Sequence, residues 1–220
     1  MPLIVLEGVD GSGKTVQFRM LQLALKDHNV PYVSLDFPRY DNPSSTLLRS
    51  YLNGEFGSDP NDVNPYAASM FFAVDRLASY YDSWQQADLE NKLIIANRYS
   101  TSNIVHQGAK FALEDRLKFF EWVDTTEHVL GPLPRPDMVL FLDVPPTVSQ
   151  TLRKKGERAR DGDIHENNEL HLEVAWSAAK SAAIFFKWER IDCAPVGHLR
   201  SPGDIHDEII KRVNERFSLF

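Results

Sequence analysis

The fold of this chain is decided by the stretch Gly8-Val9-Asp10-Gly11-Ser12-Gly13-Lys14-Thr15. It follows the apolar run Leu3-Ile4-Val5-Leu6 and precedes a segment with helical periodicity. A strand, a glycine-rich loop and a helix in this order, with the spacing G-x-x-x-x-G-K-S/T, are typical of a loop that holds phosphate groups. The alternative is a glycine-rich turn with an exposed lysine, but the flanking strand and helix patterns favour the phosphate loop.

The residue types of this loop match the chemistry of a nucleoside triphosphate. Glycines allow a tight backbone turn whose N–H groups point inward at a phosphate. The helix that begins near Gly13 adds the positive end of its dipole. Lys14 brings a mobile cation to the outer phosphates, and the Thr15 hydroxyl can ligate Mg²⁺. The loop therefore predicts binding of ATP or a related nucleotide together with Mg²⁺.

Composition narrows the class of protein. The 220 residues fit one large domain, which we expect to span 1–220, and the 43% hydrophobic content is ordinary for a globular chain. No apolar run reaches the roughly 18 residues that span a bilayer, so we expect no membrane contact. A single cysteine, Cys193, favours a reducing, cytoplasmic location. The net charge of −7 argues against nucleic acid as a partner and favours small molecules.

Extended and helical patterns alternate along the chain, which predicts an α/β fold with a five-stranded parallel sheet and helices on both faces. The strands are expected at Leu3–Glu7, Tyr32–Phe37, Leu93–Asn97, Met138–Asp143 and Trp188–Asp192. The helices are expected at about 14–28, 44–54, 64–90, 100–108, 112–129, 146–155, 167–187 and 203–217. In the long helix, we expect a stripe toward the core made of Met70, Phe71, Val74, Leu77, Ala78 and Tyr81.

Two arginines and one helix point to a second anionic substrate. Arg39 lies in Phe37-Pro38-Arg39-Tyr40 after the second strand, and Arg98 lies in Asn97-Arg98-Tyr99 after the third. Ligands of open α/β sheets bind beyond the carboxyl ends of the strands, so both guanidinium groups are expected beside the phosphate loop. Phe72 and Arg76 are four residues apart on one helix face, where a ring and a guanidinium can bind a nucleobase or simply widen the core.

These motifs, taken in order and together with the basic stretch 153–160, resemble the thymidylate kinase family. The resemblance runs from the first strand to about Glu166. It implies a three-layer P-loop NTPase fold with a lid at approximately 153–163. It also implies transfer of the γ-phosphoryl group of ATP to dTMP, giving dTDP and ADP, in a homodimer.

The resemblance assigns a role to individual residues of the site. Asp10 would hold the deoxyribose 3′-hydroxyl, and Arg39 and Arg98 would grip the acceptor phosphate. Phe72 would stack on thymine while Arg76 donates to a thymine carbonyl. The remaining substrate contacts that the resemblance implies are Phe37, Asn103, His106, Gln107, Asp163, His165 and Glu166.

Other roles concern the phosphates and the donor nucleotide. In the family that this chain resembles, the cation over the transferring group comes from the phosphate loop or from the lid. This phosphate loop carries no arginine, so the resemblance implies a lid residue, Arg153, Arg158 or Arg160. Relatives hold adenine near the loop that contains Arg200. Many members have an aspartate that helps to hold Mg²⁺ where this chain has Asn97, so Thr15 is the predicted metal contact.

Three alternatives stay open on the sequence alone. A regulatory GTPase needs Asn-Lys-x-Asp, and the nearest match, Asn91-Lys92-Leu93-Ile94, lacks the aspartate. Another nucleoside or nucleoside-monophosphate kinase shares the fold, although a nucleoside kinase needs a base where Asn97 stands. A non-catalytic nucleotide-binding switch would bind nucleotide without transferring phosphate to an acceptor.

Overall fold

The computed structural model describes the backbone of residues 2–155 and 163–220 and the side chains of residues 2–150 and 163–220. Its centre is a five-stranded parallel sheet in the order β2-β3-β1-β4-β5. The strands are β1 Leu3–Glu7, β2 Tyr32–Asp36, β3 Leu93–Asn97, β4 Met138–Asp143 and β5 Glu189–Asp192. The predicted α/β class and parallel sheet are confirmed.

Burial explains why these segments form strands. Every residue of β1, β3 and β4 is buried, as expected of central parallel strands that are covered on both faces. The outer strands β2 and β5 mix buried and exposed positions. Side chains alternate between two core layers: Ile4 and Leu6 of β1 pack on one face, and Leu3 and Val5 pack on the other.

Helices cover both faces of the sheet. One layer is built from α1 and α9, whose buried apolar residues pack against the even-numbered positions of β1. The other layer includes the small-residue face of α8, which packs on Phe141 of β4. The helices are α1 Lys14–Asp27, α2 Thr46–Leu52, α3 Pro65–Ser79, α4 Gln85–Leu89, α5 Ser100–His106, α6 Leu113–Thr125, α7 Pro146–Lys155, α8 Glu169–Phe185 and α9 Pro202–Phe217.

The long helix predicted at 64–90 is interrupted. It consists of α3, a π-helical turn at Tyr80–Trp84, and α4. A second π-helical turn, Thr126–Leu130, continues α6. Such turns insert one extra residue and are frequent at functional sites.

The predicted core stripe on α3 is wrong for most of its members. Met70, Val74, Leu77 and Tyr81 are exposed by 43%, 49%, 36% and 59% of their surface. The buried positions of α3 are instead mainly polar: Ser69, Asp75, Arg76 and Ser79. The reason is that the inner face of α3 binds polar groups of neighbouring elements: Asp75 binds Arg39, and Arg76 binds Glu127. Its apolar stripe consequently faces outward.

Two further features bear on the chemistry. Cys193 is fully buried, and burial raises the pKa of its thiol to about 12. In the part of the chain that the structure describes, we find no helix with both the length and the apolar character needed to cross a membrane.

Candidate active site

Three loops meet at the carboxyl edge of the sheet. β1 leads into the phosphate loop, β2 leads into Phe37–Tyr40, and β3 leads into Arg98. Because β1, β2 and β3 are neighbours and parallel, these loops emerge side by side. This edge is where α/β folds of this type place their ligands.

The phosphate loop closes on its own lysine. α1 begins at Lys14 directly after Gly13, whose φ of 86° lies in the left-handed region that favours glycine. Lys14 Nζ donates to the carbonyl oxygens of Gly8 at 2.6 Å and Val9 at 2.9 Å. Burial, reinforced by the Arg98 guanidinium, lowers the pKa of Lys14 to about 8. The lysine is thus held within the loop by two of the loop's own carbonyl groups.

Asp10 and Arg98 form an ion pair between the phosphate loop and the end of β3. The guanidinium Nη2 donates to Asp10 Oδ1, and Nη1 lies 3.3 Å from both Ser102 Oγ and His106 Nε2. Burial opposes the ionisation of Asp10, but Arg98 and Lys14 outweigh it and lower the pKa of Asp10 below its usual range. Arg98 has a φ of 66°, a strained backbone for a non-glycine residue of the kind that clusters at functional sites.

Glu7 supports this ion pair from beneath, and the sequence analysis missed it. The fully buried carboxylate accepts hydrogen bonds from Gly8 N at 2.8 Å, Thr101 Oγ1 at 2.6 Å and Ser102 Oγ at 2.8 Å. It also lies 3.9 Å from Arg98 Nη1. Glu7 therefore ties the phosphate loop to the start of α5.

A cavity that opens to solvent adjoins Asp10 and Arg98. Every residue predicted to contact the second substrate lines it, apart from Arg39. Further lining residues not assigned a role from sequence are Pro38, Tyr40, Leu52, Tyr99 and Ser102.

At the far end of the cavity, α3 and α5 present a ring and two polar groups. Phe72 is half-buried, and its ring meets that of Tyr51 edge-on at 6.1 Å. Arg76 and Asn103 are almost fully buried. Both contact the buried Glu127, which no sequence pattern indicated. This end combines an apolar surface with fixed hydrogen-bonding groups, as a base-binding pocket requires.

Three buried histidines stack on one another beside the cavity, and two of them, His106 and His165, line it. The rings of His106, His165 and His171 are near-parallel, with His165 centred 5.3 Å from His106 and 4.5 Å from His171. Burial lowers the pKa of all three, that of His171 to about 4, so the rings are neutral. Their nitrogens lie within 4.8 Å of one another. The three rings therefore pack as one neutral stack next to the cavity.

Asp163 and Glu166 close the cavity from the segment before α8. Asp163 Oδ1 accepts from the backbone N–H groups of His165 at 2.8 Å and Glu166 at 2.9 Å, which fixes the turn. Burial and the Asp10 carboxylate raise the pKa of Asp163 to about 7. The turn is joined to α2 by the hydrogen bond between Tyr51 Oη and His165 Nε2, at 2.8 Å.

Arg39 and Arg200 are held by groups of the protein itself. Arg39 Nε donates to Asp75 Oδ1 at 3.2 Å and its Nη2 donates to Ser44 Oγ at 2.9 Å, so its guanidinium turns toward α3 instead of the cavity. Arg200 donates to Glu208 Oε2 at 2.5 Å and to the Asp204 carbonyl oxygen at 2.8 Å. The lid arginines Arg153, Arg158 and Arg160 lie outside the side chains that the structure describes.

Asn97 lacks the carboxylate that the family resemblance leads one to expect at this position. The neighbouring strand β2 provides a carboxylate beside it, that of Asp36. Asn97 Nδ2 donates to Asp36 Oδ1 at 2.8 Å, and Asn97 Oδ1 is buried with no hydrogen-bond partner among the described residues. An unpartnered buried oxygen beside a carboxylate matches the oxygen ligands that Mg²⁺ prefers, directly or through water. Thr15 follows Lys14 at the start of α1 and is partly exposed.

Comparison with known proteins places this geometry in one family. The family model described as thymidylate kinase matches residues 6–190. A probable thymidylate kinase of Pyrococcus horikoshii is 29% identical over 96% of this chain and 94% of its own length. A thymidylate kinase of Mycobacterium tuberculosis is 30% identical over 78% of this chain and 79% of its own. A thymidylate kinase of Plasmodium falciparum is 26% identical over 96% and 89%. The chain belongs to the thymidylate kinase family.

Proposed function

We propose that this protein transfers the γ-phosphoryl group of ATP to dTMP and that dTMP occupies the cavity between the phosphate loop and α3. One observation carries the proposal. Asp10 of the phosphate loop and the trio Phe72, Arg76 and Asn103 line the same cavity, so a single ligand can reach both ends. A nucleoside monophosphate has the matching polarity, with an anionic phosphate at one end and a base at the other.

The phosphate of dTMP is proposed to lie at Arg98, whose guanidinium group can donate two parallel hydrogen bonds to phosphate oxygens. Asp10, now paired with Arg98, would accept the deoxyribose 3′-hydroxyl. Arg39 can bind the phosphate of dTMP only if its guanidinium first leaves Asp75. Arg98 would therefore be the main cation at the acceptor phosphate. Phe72 would stack on the pyrimidine, and Arg76 and Asn103 would meet its polar edge. Gln107, His106 and His165 would enclose the sugar.

ATP is proposed to lie on the phosphate loop, where Lys14 would leave the carbonyls of Gly8 and Val9 for the outer phosphates. Thr15, together with Asn97 and Asp36 through water, would hold Mg²⁺, which would supply positive charge to the phosphates of ATP. The adenine would lie near the loop of Arg200. The lid arginines would cover the transferring group.

The chemistry needs little covalent help from the protein. A phosphate oxygen of dTMP forms a bond to the γ-phosphorus, and the bond from that phosphorus to the bridging oxygen breaks, so that ADP leaves with the electron pair. The acceptor is already an anion near neutral pH and requires no strong base. Lys14 and Arg98 stabilise the charge that spreads over the transferring oxygens.

We further propose that two copies of the chain associate through α3. Tyr66, Met70, Val74, Leu77 and Tyr81 recur every three or four residues and are each at least 36% exposed. An apolar stripe with this spacing forms one face of the helix, and such faces pack well against a matching helix. A second copy supplies the same face by symmetry.

The activity test is direct. The chain is incubated with ATP, Mg²⁺ and each nucleoside monophosphate in turn, and ADP release is measured. We expect the highest kcat/KM with dTMP and no release without an acceptor. Equal turnover of CMP or AMP would contradict the thymine assignment and favour another monophosphate kinase. Nucleotide binding with no acceptor-dependent release would favour the non-catalytic alternative.

A further inference from the structure

Glu127 holds two cavity residues without lining the cavity itself. It lies in the π-helical turn after α6 and is 4% exposed. Its Oε2 accepts from Arg76 Nε at 2.6 Å, and its Oε1 accepts from Arg76 Nη2 at 2.6 Å and from Asn103 Nδ2 at 3.0 Å. A buried carboxylate is stable only when it is paired and hydrogen-bonded in this way. The contacts therefore define one arrangement of three side chains from α3, α5 and the π-helical turn.

This arrangement fixes the direction of the Asn103 amide. Asn103 Nδ2 donates to the Ser69 carbonyl oxygen at 3.1 Å as well as to Glu127, so both of its hydrogens are used. Both partners can only accept, which excludes the flipped amide. Among the described residues no group donates to Asn103 Oδ1. The oxygen is thus left as an acceptor at the cavity that Asn103 lines.

The same carboxylate fixes the Arg76 guanidinium. Glu127 takes Nε and Nη2, and in the described part of the chain no acceptor contacts Nη1. Arg76 also lines the cavity, so Nη1 is the nitrogen left to donate to a ligand. A donor and an acceptor then stand together at the base end. A pyrimidine with an O4 carbonyl and an N3–H group is complementary to this pair, whereas cytosine presents an amino group and an unprotonated N3.

We propose that Glu127 is a positioning residue that sets the choice of a 4-oxo pyrimidine over cytosine. It acts by holding the donor of Arg76 and the acceptor of Asn103 toward the base. This inference rests on the proposed function, because the base must lie at this end of the cavity. It extends that function by naming the group that decides the hydrogen-bonding pattern of the pocket.

The test replaces the carboxylate by an amide of the same shape. In Glu127→Gln one acceptor oxygen becomes an NH₂ group, which faces a donor of Arg76 whichever way the new amide turns. The guanidinium and the Asn103 amide then lose the partner that fixes their direction toward the base. We expect KM for dTMP to rise about tenfold or more, with kcat and KM for ATP within about twofold. We expect the ratio of kcat/KM for dTMP to that for dCMP to fall by about tenfold.

Asp124→Asn is the matched control. Asp124 accepts from Arg135 through both carboxylate oxygens, at 2.9 and 2.7 Å, near the same end of α6. This pair is partly exposed, and neither residue lines the cavity. Like Glu127→Gln, the substitution Asp124→Asn removes the negative charge of a carboxylate that binds an arginine. A general effect on the end of α6 would therefore appear in both variants. We expect the dTMP-to-dCMP ratio of this control to equal that of the unaltered protein.

Each remaining outcome is decisive. Turnover of dTMP by the unaltered chain with an unchanged dTMP-to-dCMP ratio in Glu127→Gln would overturn the inference and leave the function intact. If calorimetry and turnover detect no dTMP binding to the unaltered chain, both proposals fail. Should Glu127→Gln unfold, a structure of the unaltered protein with dTMP decides: Glu127 must still bind Arg76 and Asn103 while Nη1 and Oδ1 contact the base. A base contacted by neither atom overturns the inference.

Discussion

At the scale of single residues, the buried charges of the site have a pH signature. The pKa of Lys14 is lowered to about 8 by burial and by Arg98. The ammonium is therefore present below pH 8 and lost as the pH rises through 8, which is well below the usual range of lysine. We expect kcat/KM for ATP, which reports the free enzyme, to fall above about pH 8. Lys14→Ala should abolish this alkaline limb, the fall of kcat/KM above about pH 8. It should also lower turnover by orders of magnitude at every pH.

Lys110 provides the control, because burial also lowers its pKa to about 8. Its Nζ donates to Tyr51 Oη and to the Val63 carbonyl oxygen, both at 3.1 Å, and not to the phosphate loop. Lys110→Met should keep the alkaline limb for ATP. If that limb disappears instead, the titration belongs to Lys110 and not to the phosphate loop.

Single residues also show what sequence can and cannot predict. Motifs and the family resemblance named Asp10, Arg98 and Asn103 as candidates, and the structure brings all three to one cavity. Glu7 and Glu127 were missed because their partners are distant in sequence: Glu7 binds Thr101, and Glu127 binds Arg76. The residues next to a glutamate do not indicate such a contact. Arg39 shows the converse: its motif predicts a phosphate contact, and the structure joins it to Asp75, 36 residues away.

At the scale of elements, the phosphate loop tolerates no side chain at Gly8. A Cβ there would lie 2.6 Å from Ser12 Oγ and 2.9 Å from the Leu142 carbonyl oxygen. The second atom belongs to the backbone of β4 and can move only with the strand. We expect Gly8→Ala to reduce ATP affinity at least about tenfold, measured by calorimetry, because the loop must open to relieve the contact.

Gly13→Ala gives a graded comparison within the same loop. A Cβ at Gly13 meets nothing within 4 Å, so the substitution carries only the strain of its left-handed φ, about 1–2 kcal/mol of unfolding free energy in urea titrations. We expect a smaller loss of ATP affinity than for Gly8→Ala. An equal loss in both variants would show that loop strain, and not the contact with β4, controls binding.

Strands were predicted more accurately than the long helix. The predicted bounds are correct for three strands, β1, β3 and β4. A short apolar run between polar residues is typical of a parallel strand that is buried on both faces. The π-helical turn after α3 was not predicted, since it shifts the helical period by one residue without a proline or glycine to mark it. The outward apolar face of α3 was misassigned because periodicity identifies a face but not what covers it.

At the scale of the whole molecule, the exposed stripe of α3 predicts association. Val74 is 49% exposed at the middle of the stripe. We expect Val74→Glu to convert a dimer into a monomer, observed by light scattering across a range of concentrations, because a charge would be buried at the contact. The unfolding free energy of the monomer should change little, since Val74 contributes little to the core.

Val16→Glu serves as the control for that substitution. Val16 is also 49% exposed but lies on α1, away from the stripe. It should leave the oligomeric state unchanged. A monomeric unaltered protein, or a Val74→Glu variant that still forms dimers, would contradict the proposed interface.

The burial of Cys193 has a practical consequence at this scale. It is the only thiol in the chain, it is inaccessible, and its high pKa keeps it in the unreactive protonated form. A cysteine introduced on the surface would therefore be the sole target of a maleimide or nitroxide reagent. Spin labels could be attached to α3 one position at a time without first deleting a native residue, and inter-label distances could map how two molecules meet.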